Sequence, residues 1–338
     1  MTDKHTDRTT GDDRTRTGGE RTTDDGLSRR RTLRLGGVAG VAGLFGSAGV
    51  GVGSANEAGG GCNRPDDEIH LDYDAYDDWD DVYWRSNGDP ENISLVSSPT
   101  YSGDSALQIR MREDQSWGVS THYDLGEDVI ELNGRVQFAL DTGWEMPGRD
   151  PSNCRLWNCA MALGEGSAGG GVPDGTNGWS NRLYVTTRGG EPDGTNGWSN
   201  RLYVTTRGGE PDGPFALLSH TYHMDQYQDH DYLLDGQEYT VQEAEIVPGR
   251  WYEFEYYVCV NTVTSGRAND DGILQYWLDG DRIYDRRDLR FTADLEDNVI
   301  DTTGPAGYYG GRYVSPRNLY AYYDRHSMAV NGTFGDGC

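Results

Sequence analysis

The sequence predicts an all-β chain, a β-jelly-roll sandwich of two antiparallel sheets. Three observations carry that expectation. From about Asp66 onward, short β-branched and aromatic runs recur between Gly, Asn, Asp and Pro turns. Helical periodicity is nearly absent. The run Trp251-Tyr252-Glu253-Phe254-Glu255-Tyr256-Tyr257-Val258 alternates charged with aromatic residues, as a strand with one wet and one packed face does. Many strands with few helices pack as two sheets around one core.

The first element in chain order is a leader. Residues 1–27 are polar, and Ser28-Arg29-Arg30-Arg31-Thr32-Leu33-Arg34-Leu35 forms a basic patch. A Gly/Ala/Val-rich stretch follows to about Ala55. A basic patch ahead of a modest apolar region is an export signal rather than part of a fold. The paired arginines resemble a twin-arginine signal. Residues 1–58 are therefore read as signal and disordered leader, cleaved near Ala55 or Ala58, and the mature protein as extracellular. A lipid anchor at Cys62 is the lesser alternative, because Gly59 stands where a lipobox carries an aliphatic residue. Residues 59–338 are read as one domain and as a monomer.

Charge narrows the function classes. The chain of 338 residues carries a net charge of −27. Lys4 is its only lysine, and from Gly59 onward there are 48 acids, 20 arginines and no lysine. Such a surface resembles that of proteins adapted to strong salt, as in haloarchaea. It excludes nucleic-acid binding by phosphate neutralisation. It also excludes any mature-chain chemistry that uses lysine. No apolar run is long enough to span a membrane.

The five cysteines are Cys62, Cys154, Cys159, Cys259 and Cys338. In an oxidising compartment Cys154 and Cys159 can close a short loop, and Cys62 and Cys338 can tie the termini. Cys259 lies in a strand-like run and reads as a buried thiol. Connectivity itself does not follow from the spacing. There is no CxxC pair to suggest a structural zinc.

The strands are expected at Ile93–Val96, Ala106–Arg112, Gly118–Tyr123, Gly134–Asp141, Leu202–Thr206, Phe215–Tyr222, Trp251–Asn261, Ile273–Leu278, Arg282–Tyr284 and Leu319–Met328. Between them Pro173–Glu191 recurs without change as Pro192–Glu210. Two copies are too few for a solenoid. A sandwich has one place for such a strand, so one copy must bulge out, add an edge strand or displace the other.

The chain has no GxSxG and no HExxH motif. The acid pairs Glu243/Glu245 and Glu253/Glu255 share a strand face and admit a glycosidase reading. A stronger constellation lies in Trp198-Ser199-Asn200-Arg201-Leu202-Tyr203 and Ser219-His220-Thr221-Tyr222-His223-Met224-Asp225-Gln226. Read as antiparallel strands, Ser199, Arg201 and Tyr203 share one face, and His220 and Tyr222 share one face of the next. Such a patch suits β-elimination of a uronate polymer. A polar or cationic donor neutralises the substrate carboxylate. A His or Tyr takes the C5 proton, and a Tyr protonates the leaving O4.

The segment resembles polysaccharide lyase family 14 and its relatives, the alginate and glucuronan lyases. There a Ser-x-Arg strand precedes a Tyr-x-Tyr strand. The matching positions are Ser199 and Arg201, then His220 and Tyr222. Asp271-Gly272-Ile273-Leu274-Gln275-Tyr276-Trp277-Leu278-Asp279-Gly280, Tyr308-Tyr309-Gly310-Gly311 and Tyr323-Asp324 are similar to further family segments. The resemblance runs from about Ser105 to Met328. It implies a concanavalin A-like jelly roll and β-elimination of an anionic polysaccharide without metal or organic cofactor, a structural Ca²⁺ aside. The catalytic set it implies is Tyr222, His220, Arg201 and Ser199. Substrate contacts are expected from Asn200, Tyr203, His223, Gln226, Tyr309 and Arg312, with Arg317, Trp179, Trp198, Tyr308 and Tyr313 as further candidates.

Two departures stand out. His220 replaces the family's first Tyr, and histidine is the readier base. The family's lysine has no counterpart; it would fall near Asn158–Gly164, where Arg155 or Asn158 can take its place. Copy one of the repeat offers the rival pair Ser180 and Arg182. Copy two is preferred because a short turn joins it to the His220 strand. The alternatives to a lyase are a non-catalytic carbohydrate-binding or cell-surface sandwich and, third, a glycoside hydrolase.

Overall fold

The computed structural model describes residues 65–126, 128–146, 153–167, 173–186, 213, 215–225, 244–309 and 314–335. The chain's contacts divide it at Glu57/Ala58, and all described residues fall in the second unit. Among them there is no α-helix, only four single turns of 3-10 helix.

Two antiparallel sheets form the unit. The first contains β1 (Asp67–Leu71), β3 (Ile93–Val96), β4 (Ala106–Met111), β6 (Glu131–Leu140), β11 (Trp251–Cys259), β14 (Gly272–Leu278), β15 (Asp281–Leu289) and β17 (Leu319–Val330). Its order is β15-β14-β11-β6-β17-β4-β3, with β1 also on β17. The second contains β2 (Trp84–Gly88), β5 (Trp117–Asp124), β7 (Asn153–Ala162), β8 (Trp179–Thr186), β9 (Phe215–Tyr222), β10 (Glu245–Ile246) and β16 (Thr302–Tyr309). Its order is β10-β9-β8-β7-β16-β5-β2. A small hairpin, β12 (Val263–Thr264) and β13 (Arg267–Ala268), stands apart.

The alternation read in β11 holds. Tyr252, Phe254, Tyr256 and Val258 are buried between the sheets. Each such side chain contributes about 2–3 kcal/mol by leaving water. Gly134 on β6 is what lets Tyr256 lie flat; a Cβ there would come within 2.1 Å of the Tyr256 ring. The outward acids of β11 are engaged across strands. Glu253 accepts from Gln137 Nε2 at 2.9 Å, and Glu255 pairs with Arg135 at 2.9 Å. Both stand on the first sheet, engaged in these cross-strand contacts. Glu245 is exposed on β10, and Glu243 lies outside the described residues.

The Cys154–Cys159 disulfide does not form. Both thiols are free and buried. They sit five positions apart on β7, about 16 Å along an extended strand, far beyond disulfide reach. Burial pushes both thiols above their usual range. Cys259, expected to be a buried thiol, is a free thiol only partly buried, with its pKa raised to about 11 by burial. Cys62 and Cys338 lie outside the described residues.

Two hydrogen-bond clusters tie the sheets together. Tyr256 meets Thr303 of β16 at 2.7 Å and His326 of β17 at 3.5 Å. Tyr276 of β14 donates to Asn181 Oδ1 on β8 at 2.6 Å and meets Ser219 Oγ on β9 at 2.9 Å. Asn181 Nδ2 also donates to Thr221 Oγ1 on β9 at 2.8 Å. These inward groups fix β8 and β9 against the first sheet, and so fix which residues those strands turn to the other face.

Candidate functional site

The strand beside His220 is copy one of the repeat. Along β8 and β9, Ser180 pairs with Tyr222 and Arg182 with His220. This corrects the preference for copy two: the pairing expected of Ser199 and Arg201 is made by their equivalents, Ser180 and Arg182. Ser199, Asn200, Arg201 and Tyr203 lie outside the described residues, as does the strand expected at Leu202–Thr206. The convergence of Ser, Arg, His and Tyr itself is present.

The other neighbour of β8 extends the constellation. Asn158 of β7 pairs with Arg182, and Met161 pairs with Ser180. Asn158, Arg182 and His220 therefore form one row across three strands, and Met161, Ser180 and Tyr222 form the next. Paired residues of antiparallel strands project to the same side. The Arg182 guanidinium lies over the Tyr222 ring, 5.1 Å from its centroid. His220 meets the same ring edge-on at 5.0 Å. Ser180 Oγ donates to the Ser167 carbonyl at 2.7 Å, and Arg182 Nη2 donates to that carbonyl too.

All five polar side chains are at most 5% exposed. Asn158 Nδ2 reaches Ser120 Oγ and the Thr121 carbonyl, each at 3.4 Å, while its Oδ1 has no hydrogen-bond partner among the described residues. That oxygen is free to accept from a ligand group or a water.

Positive charge gathers on this face. His122 of β5 feels both Arg155 and Arg182, and burial together with those two guanidinium groups pulls its pKa down to about 3. Arg155 lies over the Tyr308 ring at 5.2 Å, and Tyr308 packs on Trp117 at 4.0 Å. Arg155 and Asn158, the two substitutes considered for the absent lysine, are both on the face.

Several expected contacts fall elsewhere. Tyr309 is fully buried, with its hydroxyl 3.4 Å from the Glu145 carbonyl and from Met146 Sδ. The residue β16 turns outward is its neighbour Tyr308. His223 packs toward Asp225, Arg286, Asp288 and Arg290, and burial lowers its pKa to about 4. It lies one residue beyond the His220/Tyr222 alternation and so on the opposite side. Trp179 is buried against Phe291, 4.5 Å between rings. Arg317 stands beside Asp141 and Gly143, by the ends of β6 and β17. Trp198, Gln226, Arg312 and Tyr313 lie outside the described residues.

Among the described residues, no group of three or more His, Cys, Asp or Glu side chains is arranged to hold a metal ion. No helix among them is long and apolar enough to cross a membrane.

No protein-family model and no curated protein sequence matches the chain. Solved structures do. The alginate lyase Aly36B aligns over 79% of this chain and 98% of its own, at a TM-score of 0.54 and 16% identity. A double variant of that enzyme, solved in complex with an alginate tetrasaccharide, aligns over the same shares at 0.52 and 16%. The marine PL-14 alginate lyase from Aplysia kurodai aligns over 75% of this chain and 90% of its own, at 0.45 and 16%. With the sheet order and register above, the likeness to Aly36B shows that this chain has the β-jelly-roll fold found in that alginate lyase.

Proposed function

We propose that the chain is a polysaccharide lyase that cleaves a uronic-acid polymer by β-elimination on the β7–β8–β9 face. The observation that carries this is the register placing Asn158, Arg182 and His220 in one row and Ser180 and Tyr222 in the next. Arg182 and the Asn158 amide neutralise the substrate carboxylate, which acidifies C5–H. His220 accepts that proton, the C5–H electrons form the C4=C5 double bond, and the C4–O4 bond breaks. Tyr222 gives its phenolic proton to O4, and the Arg182 guanidinium over its ring stabilises the phenolate left behind. Tyr222 serving as both base and acid is the variant of this scheme. His220 then gives its proton to water and Tyr222 regains one from it, which closes the cycle.

Arg182 and Ser180 now donate to a neutral carbonyl, that of Ser167. A carboxylate is the stronger partner for a guanidinium, so substrate entry improves the arrangement it replaces. Alginate and glucuronan are the polymer types proposed, and the protein is proposed to act outside the cell after twin-arginine export. Its acidity does not oppose a polyanion in strong salt, where the Debye length is about 3 Å.

The second reading is a carbohydrate-binding sandwich without catalysis. The absence of lysine from the whole chain after Lys4 favours it. One experiment separates them: ultraviolet absorbance of the unsaturated product during incubation with alginate and glucuronan in molar salt. A rise is expected. Retention of the polymer with no rise would overturn the lyase and leave the binding module.

A further inference from the structure

The row that holds Asn158, Arg182 and His220 does not stop at β7. Gly304 of β16 pairs with Asn158. A Cβ on Gly304 would come within 3.3 Å of the His122 Cα, so Gly304 lies beside His122 on β5. His122 in turn pairs with Trp84 on β2. One line thus crosses six strands, from His220 to Trp84, over about 24 Å at ordinary strand spacing. At its middle, β16 contributes a residue without a side chain. Gly304 has φ 152°, and a Cβ would also stand 3.0 Å from the Thr121 carbonyl oxygen. The line carries no side chain at its middle, where the β5 backbone packs close, and ends on an aromatic ring.

Trp84 is built as a platform. Its indole stacks on His122 with centroids 4.6 Å apart and planes 26° apart. Its Nε1 donates to Asp124 Oδ1 at 2.7 Å, which fixes the in-plane rotation. His122 is held in turn on both nitrogens, by Thr302 Oγ1 at 3.1 Å and Ser86 Oγ at 2.8 Å. Trp84 nonetheless remains 39% exposed. A large ring, clamped by an edge bond and a stack yet left open to solvent, is the form in which a side chain binds a flat apolar surface. The apolar face of a pyranose ring is such a surface.

We infer that Trp84, backed by His122, is a distal sugar-binding platform on the same sheet face, taking a pyranose ring of the polymer about three strand spacings, roughly 14 Å, from Asn158. The inference rests on the proposal that this face binds a uronate polymer.

The test compares the parent, Trp84→Ala and Trp84→Phe on alginate and glucuronan oligosaccharides of increasing length and on the polymers. For Trp84→Ala the polymer KM is expected to rise roughly ten-fold with kcat little changed. The shortest substrates, which reach only the β7–β9 rows, are expected to be unaffected, and Trp84→Phe to recover most of the loss. An unchanged polymer KM, or an equal loss on every length, overturns the platform. Calorimetric titration of the same oligosaccharides separates this from the lyase reading. Length-dependent binding that Trp84→Ala weakens, in a chain that cleaves nothing, sustains the platform and sinks the lyase. Cleavage indifferent to Trp84 sinks the platform alone.

Discussion

Arg182 touches every part of the proposed chemistry. It pairs with His220, lies over Tyr222, neighbours Asn158 and lowers the pKa of His122. Its replacement by Ala is expected to cut the rate by about 100-fold or more, the usual cost of removing a preorganised charge stabiliser. The same change at Arg201, the equivalent position in copy two, is expected to leave the rate within a factor of about two. A loss at Arg201 with none at Arg182 would show that copy two, not copy one, occupies the β8 place during turnover. Tyr222→Phe keeps the ring against Arg182 and removes the hydroxyl that carries the proton. It is expected to lower kcat by about 100-fold or more while leaving the melting temperature near that of the parent. Full activity in that variant would end the assignment of Tyr222 as the acid. His220 and Tyr222 were legible in the sequence because their spacing of two puts them on one face of a clean strand. Asn158 was only one of two substitutes for a missing lysine, because its row depends on two register shifts in β7 that no local pattern announces.

Strands differ in how plainly they show themselves. Ile93–Val96 and Phe215–Tyr222 match β3 and β9 residue for residue, since each is a short apolar run bounded by turn residues. Two central strands of the site's own sheet, β7 and β16, escaped. In β16, Gly304, Pro305 and Gly307 look like a turn, and the sheet accommodates the proline at a register shift. In β7, bulges break the period of two. The choice between repeat copies was beyond sequence altogether, because the copies are identical. That identity gives an unusual test. Deleting 173–191 or 192–210 yields the same polypeptide, which keeps β8 and its preceding turn. The connection from β8 to β9 falls from 28 residues to 9, and the shorter closure is worth about 1 kcal/mol. The deletion variant is expected to fold, to melt no lower than the parent and to keep its activity; a loss of folding would show that copy two carries part of the structure. The inward side of the same strands gives a further prediction. Tyr276→Phe removes the hydroxyl shared by Asn181 and Ser219, at an expected cost of about 1–3 kcal/mol for buried polar groups left short. Denaturant unfolding would read that cost. A variant as stable as the parent would mean that water replaces the hydroxyl and that β8 and β9 are not held by this bond.

At the scale of the whole molecule, charge and buried histidines pull stability in directions that can be told apart. The chain's surplus of acids repels itself, and strong salt screens that repulsion. With the screening in place, pH acts chiefly through groups whose protonation differs between folded and unfolded chains. Burial lowers His326 and His122 to about 3 and His223 to about 4. An unfolded histidine titrates near about 6.5. Between those values the unfolded chain binds more protons, so stability is full above about pH 6.5 and falls as the pH drops. Each histidine contributes up to about 1.4 kcal/mol per pH unit over that window. Asp141, Asp301 and Asp324 are shifted upward by burial. Their sign is opposite: the folded chain holds their protons more tightly, so they offset the histidines at the acid end of the window. The expected curve in molar salt is level above about pH 7, descends from about 6.5 and flattens toward about 4. Denaturant midpoints at fixed salt across that range would trace it, and His326→Gln is expected to shallow the descent. A midpoint flat from about pH 7 to about 5 would show that these histidines take up protons in the folded state. It would mean that water reaches His326 between the sheets, where the Tyr256–Thr303 bond joins them.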